Sequence, residues 1–96
     1  MSDFCDKINE FGKAMSTTAR YRIVESLLKG EKTVSELVKI VKLSQPAVSQ
    51  HLKTLKTSNL VIDERRGQEV YYSVDAPYIL ALLKHLTADV RNRKKT

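Results

Sequence analysis

Residues 44–52, Ser44-Gln45-Pro46-Ala47-Val48-Ser49-Gln50-His51-Leu52, constrain the fold more than any other stretch of the chain. Ser44 is a strong helix N-cap, and Pro46 falls in the first turn, where its missing N–H breaks no helical bond. Val48, Leu52 and Leu55 recur at the spacing of one buried helix face. Gln50 and Lys53 lie opposite, flanked by Ala47, Ser49 and Thr54. A short helix whose outer side is small, amide-bearing and basic suits a DNA major groove. The same pattern also fits an ordinary amphipathic surface helix, so the flanking segments must discriminate.

Upstream, Phe4, Ile8, Phe11 and Met15 form one apolar stripe over Asp3 to Met15. Ser16-Thr17-Thr18 interrupts it, and either Thr can cap a second helix running to about Lys29, with Gly30 as terminator. That helix is expected to bury Tyr21, Ile23, Val24, Leu27 and Leu28. Thr33 and Glu36 have the spacing of a capping box for a third helix, buried through Leu37, Val38, Ile40 and Val41. Lys42-Leu43 is then the short turn into Ser44, which makes a helix-turn-helix.

After Asn59 the hydrophobic period changes. Leu60 to Arg65 and Glu69 to Val74 read as strands around Arg66-Gly67-Gln68, where Gly67 can take the positive φ of a short hairpin loop. A hairpin directly after a groove helix, with Arg65, Arg66 and Gln68 at its tip, is a wing. Asp63, Glu64 and Glu69 weaken that reading unless they point away from phosphates. A last helix starts near Pro77 and runs to about Arg91, with Ile79, Leu82, Leu83, Leu86 and Val90 in one stripe widened by Leu80. The first and last helices thus carry more apolar surface than so small a body buries alone, which points to a symmetric homodimer through Phe4, Ile8, Phe11, Ile79, Leu82, Leu83, Leu86 and Val90.

Composition sharpens the class. A chain of 96 residues is one domain, read here as residues 1–92 followed by a basic tail, 93–96. Net charge is +6, and residues 31–60 carry five Lys against two Glu, so the excess coincides with the groove helix and favours a polyanion. No apolar run approaches the roughly 20 residues of a membrane span. A single cysteine, Cys5, forbids an intrachain disulfide, and a cytosolic location is expected. The two histidines lie on separate helices, without a phosphate-binding Gly-rich loop or a nucleophile–base pattern, so an enzyme is not expected.

In this order, the segments resemble the ArsR/SmtB family of winged-helix repressors over residues 8–92. The resemblance is carried by Arg20-Tyr21-Arg22-Ile23-Val24, Gly30 to Leu37, Leu43 to Leu52, and Leu60-Val61, Arg65, Gly67 and Tyr71 to Val74 in the wing. Ser16-Thr17-Thr18-Ala19 departs from the family's usual pattern. The resemblance implies a mainly α winged helix-turn-helix, α-α-α-α-β-β-α, dimeric through its first and last helices. It implies operator binding at an inverted repeat of double-stranded DNA, with half-sites about one helical turn, ~34 Å, apart. Base reading falls to Gln45, Ala47, Ser49 and Gln50, since a Gln amide can pair bidentately with adenine. Ser44, His51, Lys53, Lys56, Arg65, Arg66 and Gln68 are the expected phosphate or wing contacts.

Many members of this family release DNA on binding metal. The thiolate motif of the arsenic and cadmium sensors falls at Thr33, Ser35 and Val38, none of which is a thiolate. The zinc motif of the last helix falls at Ala76, Tyr78, Asp89 and Asn92, three of which are not zinc ligands at neutral pH. His85 and Asp89 share a helix face, but two ligands rarely define a site, so no metal or cofactor is expected. The residues name no effector. The competing readings are a winged-helix protein-interaction module, which would place apolar anchors where Gln50 and Lys53 stand, and an activator or anti-silencer of the same fold.

Overall fold

The computed structural model describes the backbone of residues 2–94 and the side chains of residues 4–88. Helix α1 spans Ser2–Ala14 and α2 Thr18–Leu28; a two-residue strand β1, Lys32–Thr33, leads directly into α3, Val34–Val41. Helix α4 spans Gln45–Thr57, strands β2 and β3 span Val61–Arg66 and Glu69–Val74, and α5 spans Ala76–Lys94. Arg93 and Lys94, expected in a tail, therefore lie in the last helix.

Local chemistry sets these boundaries. Thr17 caps α2, its hydroxyl accepting from the Arg20 N–H at 3.2 Å. Arg20 reaches back over the α1–α2 corner, donating from Nε to the Ala14 carbonyl at 2.7 Å and from NH2 to the Lys13 carbonyl at 3.1 Å. One side chain thereby satisfies two of the orphan carbonyls at a helix C-terminus. The capping box at α3 is complete: Glu36 N–H donates to Thr33 Oγ1 at 3.3 Å, and Thr33 N–H to Glu36 Oε1 at 2.8 Å. Lys42 ends α3 in the left-handed region, φ 59°, which turns the chain sharply into Ser44. Asn59 (φ 65°) does the same after α4, and Asn tolerates that region better than most residues.

The expected two-stranded wing is part of a three-stranded antiparallel sheet, ordered β1-β3-β2. Strand β1 leaves no signal in the sequence, because two residues are too few to show a period of two. Lys32 pairs with Tyr72 and Thr33 with Tyr71, while β2 pairs with β3 from Val61↔Val74 out to Arg66↔Glu69. Arg66 therefore belongs to the strand, and the turn is Gly67-Gln68 alone. Gly67, at φ +65°, supplies the left-handed conformation that a two-residue hairpin turn requires.

The core is built from Ala14, Ile23, Val24, Leu27, Leu37, Val41, Val48, Leu52, Leu55, Leu60 and Val61, with Phe11, Met15, Val34, Val38, Leu43, Tyr72, Val74, Tyr78 and Ile79 packed against it. Three expected core residues are exposed instead: Tyr21, Leu28 and Ile40. The buried residues of α2, Ile23, Val24 and Leu27, take up its core-facing side, so Tyr21 and Leu28 fall outside that narrow stripe. In α3 the corresponding contacts are made by Leu37 and Val41, one turn apart, which turns Ile40 outward.

Candidate nucleic-acid interface

Helix α4 is held on one side and open on the other. Val48, Leu52 and Leu55 are fully buried, so the helix cannot roll about its axis. Ser44 caps it, the hydroxyl accepting from the Ala47 N–H at 3.3 Å. Gln45, Ser49, Gln50 and Lys53 are exposed on the outer side, with Ala47 half-buried at its edge. This places donors and acceptors on a rigid helix, with their side chains free to meet a ligand.

His51 is half-buried, and its Nδ1 is buried without a hydrogen-bond partner among the described residues. A buried N–H with no acceptor costs more than a bare lone pair, so the tautomer that fits carries its proton on Nε2. The cations expected to meet phosphate divide into two groups. The side chains of Lys53 and Arg65 make no ion pair among the described residues. Lys56 Nζ lies 2.9 Å from Asp63 Oδ2 and Arg66 pairs with Glu31, so both already hold carboxylates.

Cross-strand partners in an antiparallel pair share a face, and that rule sorts the wing. Val61, Asp63 and Arg65 share the α4 side with Val70, Tyr72 and Val74: Val61 is buried in the core, and Asp63 bonds to Lys56 of α4. Ile62, Glu64 and Arg66 face the other way with Glu69, Tyr71 and Ser73. Gln68 is exposed in the turn. The two adjacent arginines of the wing thus point to opposite sides of the sheet, which a sequence motif cannot show without the register.

The expected dimer-forming residues also divide. Leu82 is buried within the chain, and Phe11 and Ile79 pack on its core. Phe4 and Ile8 are half-buried, and Phe4 stacks on His85 at a centroid separation of 4.0 Å. Leu80, Leu83 and Leu86 remain 56%, 42% and 42% exposed along α5. The side chains of Val90 and Asp89 lie outside the described residues. Among the described residues no three His, Cys, Asp or Glu side chains gather where one cation could sit, and none of the helices is long and apolar enough to cross a membrane.

Comparison with known proteins agrees with this architecture. A family profile described as "Bacterial regulatory protein, arsR family" matches residues 17–63, from the cap of α2 to the start of β2. The nodulation protein NolR of Rhizobium meliloti is 42% identical over 77 residues, covering 80% of this chain and 63% of NolR, so the chain spans just under two thirds of that relative. The transcriptional repressor SdpR of Bacillus subtilis is 34% identical over 68 residues, covering 71% of this chain and 76% of SdpR. The solved structure of HlyU from Vibrio cholerae, a protein named a transcriptional activator, superimposes with a TM-score of 0.78 at 34% identity, covering 90% of this chain and 94% of HlyU. In sequence, helix order and wing, the chain belongs to the ArsR family of bacterial regulatory proteins.

Proposed function

We propose that the protein is a sequence-specific, double-stranded DNA-binding transcriptional regulator that works in the cytosol as a homodimer and represses by occupying an inverted-repeat operator. The observation that carries this reading is the open face of α4: Gln45, Ser49 and Gln50 exposed on a helix whose other side is locked into the core. A Gln amide can both donate to and accept from an adenine edge, so the readers match the code of the major groove. Lys53 and the Nε2–H of His51 serve as backbone contacts beside them, and family membership supports the assignment.

Pairing follows from α5. Leu80, Leu83 and Leu86 form an exposed apolar row, and covering it with a second copy removes it from water while setting two α4 helices against successive major-groove segments. Family membership supports regulation as the role.

The test is selection of bound duplexes from random DNA by the purified protein, with sedimentation to count subunits. An enriched inverted repeat bound by two chains is the expected result. Failure to retain any duplex at low salt overturns the reading, and enrichment of a non-repeated site overturns the two-fold part of it.

A further inference from the structure

Arg66 crosses the sheet. From the end of β2 its guanidinium passes over the ring of Tyr71 in β3, 4.7 Å from the centroid, and reaches Glu31, the residue just before β1. There it forms a two-pronged pair, NH1 to Oε2 at 2.6 Å and NH2 to Oε1 at 2.8 Å, while NH2 also donates to Glu64 Oε1 at 2.9 Å. Both terminal nitrogens of the guanidinium are thus engaged. The planar fork matches a carboxylate and the flat cation stacks on the ring, a combination Lys cannot reproduce.

The surroundings argue against a phosphate partner. Glu31 and Glu64 both hold the Arg66 guanidinium, and Glu69 stands opposite Arg66 on the same face, so three carboxylates surround one guanidinium and the cluster is net negative. A phosphate approaching Arg66 would have to displace one carboxylate and pass near two more. Arg65 is the opposite case: it points to the α4 side, exposed and without an ion-pair partner among the described residues.

We propose that Arg66 is a positioning residue, strapping the wing to the strand that begins α3 through Glu31, and that Arg65 is the wing's phosphate ligand. The strap links the helix-turn-helix to the wing, since β1 runs straight into α3 and β2–β3 form the wing. Thr33, the cap of α3, pairs with Tyr71, the residue beneath the guanidinium, so the position of the wing and the start of α3 are set together. The assignment of Arg65 rests on the DNA-binding reading; the strap itself does not.

The experiment therefore has two arms on the full chain. Without DNA, amide hydrogen exchange is followed over β1 and over the wing in wild type, Glu31→Gln, Arg66→Ala and the charge swap Glu31→Arg with Arg66→Glu. Severalfold faster exchange of the wing amides in both single variants, recovered in the swap, is expected. Unchanged protection in Glu31→Gln and Arg66→Ala overturns the strap, and this arm stands even if no duplex binds.

With a fluorescein-labelled duplex of mixed sequence, affinity is measured against salt concentration. Arg65→Ala should lower the slope of log K against log salt by about 0.9 per lost phosphate contact. Arg66→Ala should weaken binding at an unchanged slope, and the charge swap should restore it. A slope lowered by Arg66→Ala, or untouched by Arg65→Ala, overturns the assignment of the two arginines. A wild-type chain that binds no duplex overturns the assignment of Arg65 together with the DNA-binding reading.

Discussion

Lys56 Nζ lies 2.9 Å from Asp63 Oδ2, which ties the last turn of α4 to the strand leading into the wing. The hydrogen bond that Lys56 donates to the Asp63 carboxylate holds its ammonium above the ordinary pKa, so the cation is permanent at neutral pH but its field is partly cancelled. Lys53, one turn earlier, has no such partner among the described residues. Asp63→Asn should therefore strengthen binding to mixed-sequence duplex and steepen its salt dependence, whereas Lys53→Ala should flatten that slope by about 0.9. Binding isotherms across a salt series check both, and an unchanged slope in Asp63→Asn would show that Lys56 faces away from the DNA backbone.

Glu31 titrates below its ordinary carboxylate value of 4.5 because the Arg66 guanidinium hydrogen-bonds the charged form. A carboxylate depressed in the folded state stabilises the fold above the unfolded pKa and loses that contribution as pH falls through the folded one. The strap should accordingly persist throughout the neutral and mildly acidic range and open only below pH 4.5. The charged groups facing Glu31 are Arg66, which it pairs with, Glu64, which shares that guanidinium, and Glu69, the cross-strand partner of Arg66. Carbon-detected NMR of the Glu31 carboxyl should show a midpoint below 4.5 that rises in Arg66→Ala; an identical midpoint in both proteins would mean the pair does not form in solution.

Gln50→Ala removes an exposed amide without touching the core. On the selected operator it should cost about 1–3 kcal/mol and relax preference at one base pair per half-site. Fluorescence anisotropy on the operator and on single-base variants reads both quantities. Equal losses on every sequence would reassign Gln50 from base reading to backbone contact.

A charge on the exposed row of α5 should separate the subunits. Leu83→Asp and Leu86→Asp place carboxylates where a second copy would bury a leucine, while leaving the chain's own core, which includes Leu82, intact. Sedimentation should show monomers with native circular dichroism and poor operator affinity. A variant that stays dimeric would move the interface elsewhere.

Leu52→Ala tests the lock on α4. Leu52 is 1% exposed, so truncation leaves a cavity and should cost about 2–5 kcal/mol in urea unfolding. Ser44→Ala, which deletes only the cap on the Ala47 N–H, should cost about 1 kcal/mol. Similar values for the two would mean that α4 is not held by its buried stripe.

Local signals were legible in the amino-acid order because their physics is local. The cap at Ser44, the capping box of Thr33 and Glu36, the buried row of Val48, Leu52 and Leu55, and the glycine of the wing turn each act within one or two turns of chain. They were enough to specify helix-turn-helix, wing and family. Tertiary placement decided the rest. Strand β1 is too short to carry a pattern and exists because β3 supplies its hydrogen-bond partners. Tyr21, Leu28 and Ile40 are apolar at helical spacing yet exposed, because which part of a wide stripe meets the core depends on the neighbouring elements. The two arginines at the wing tip look equivalent in sequence, but strand register turns them to opposite faces and brings a carboxylate from 35 residues away onto one of them. Long-range pairing of that kind leaves no trace in local composition, and only the folded chain makes it visible.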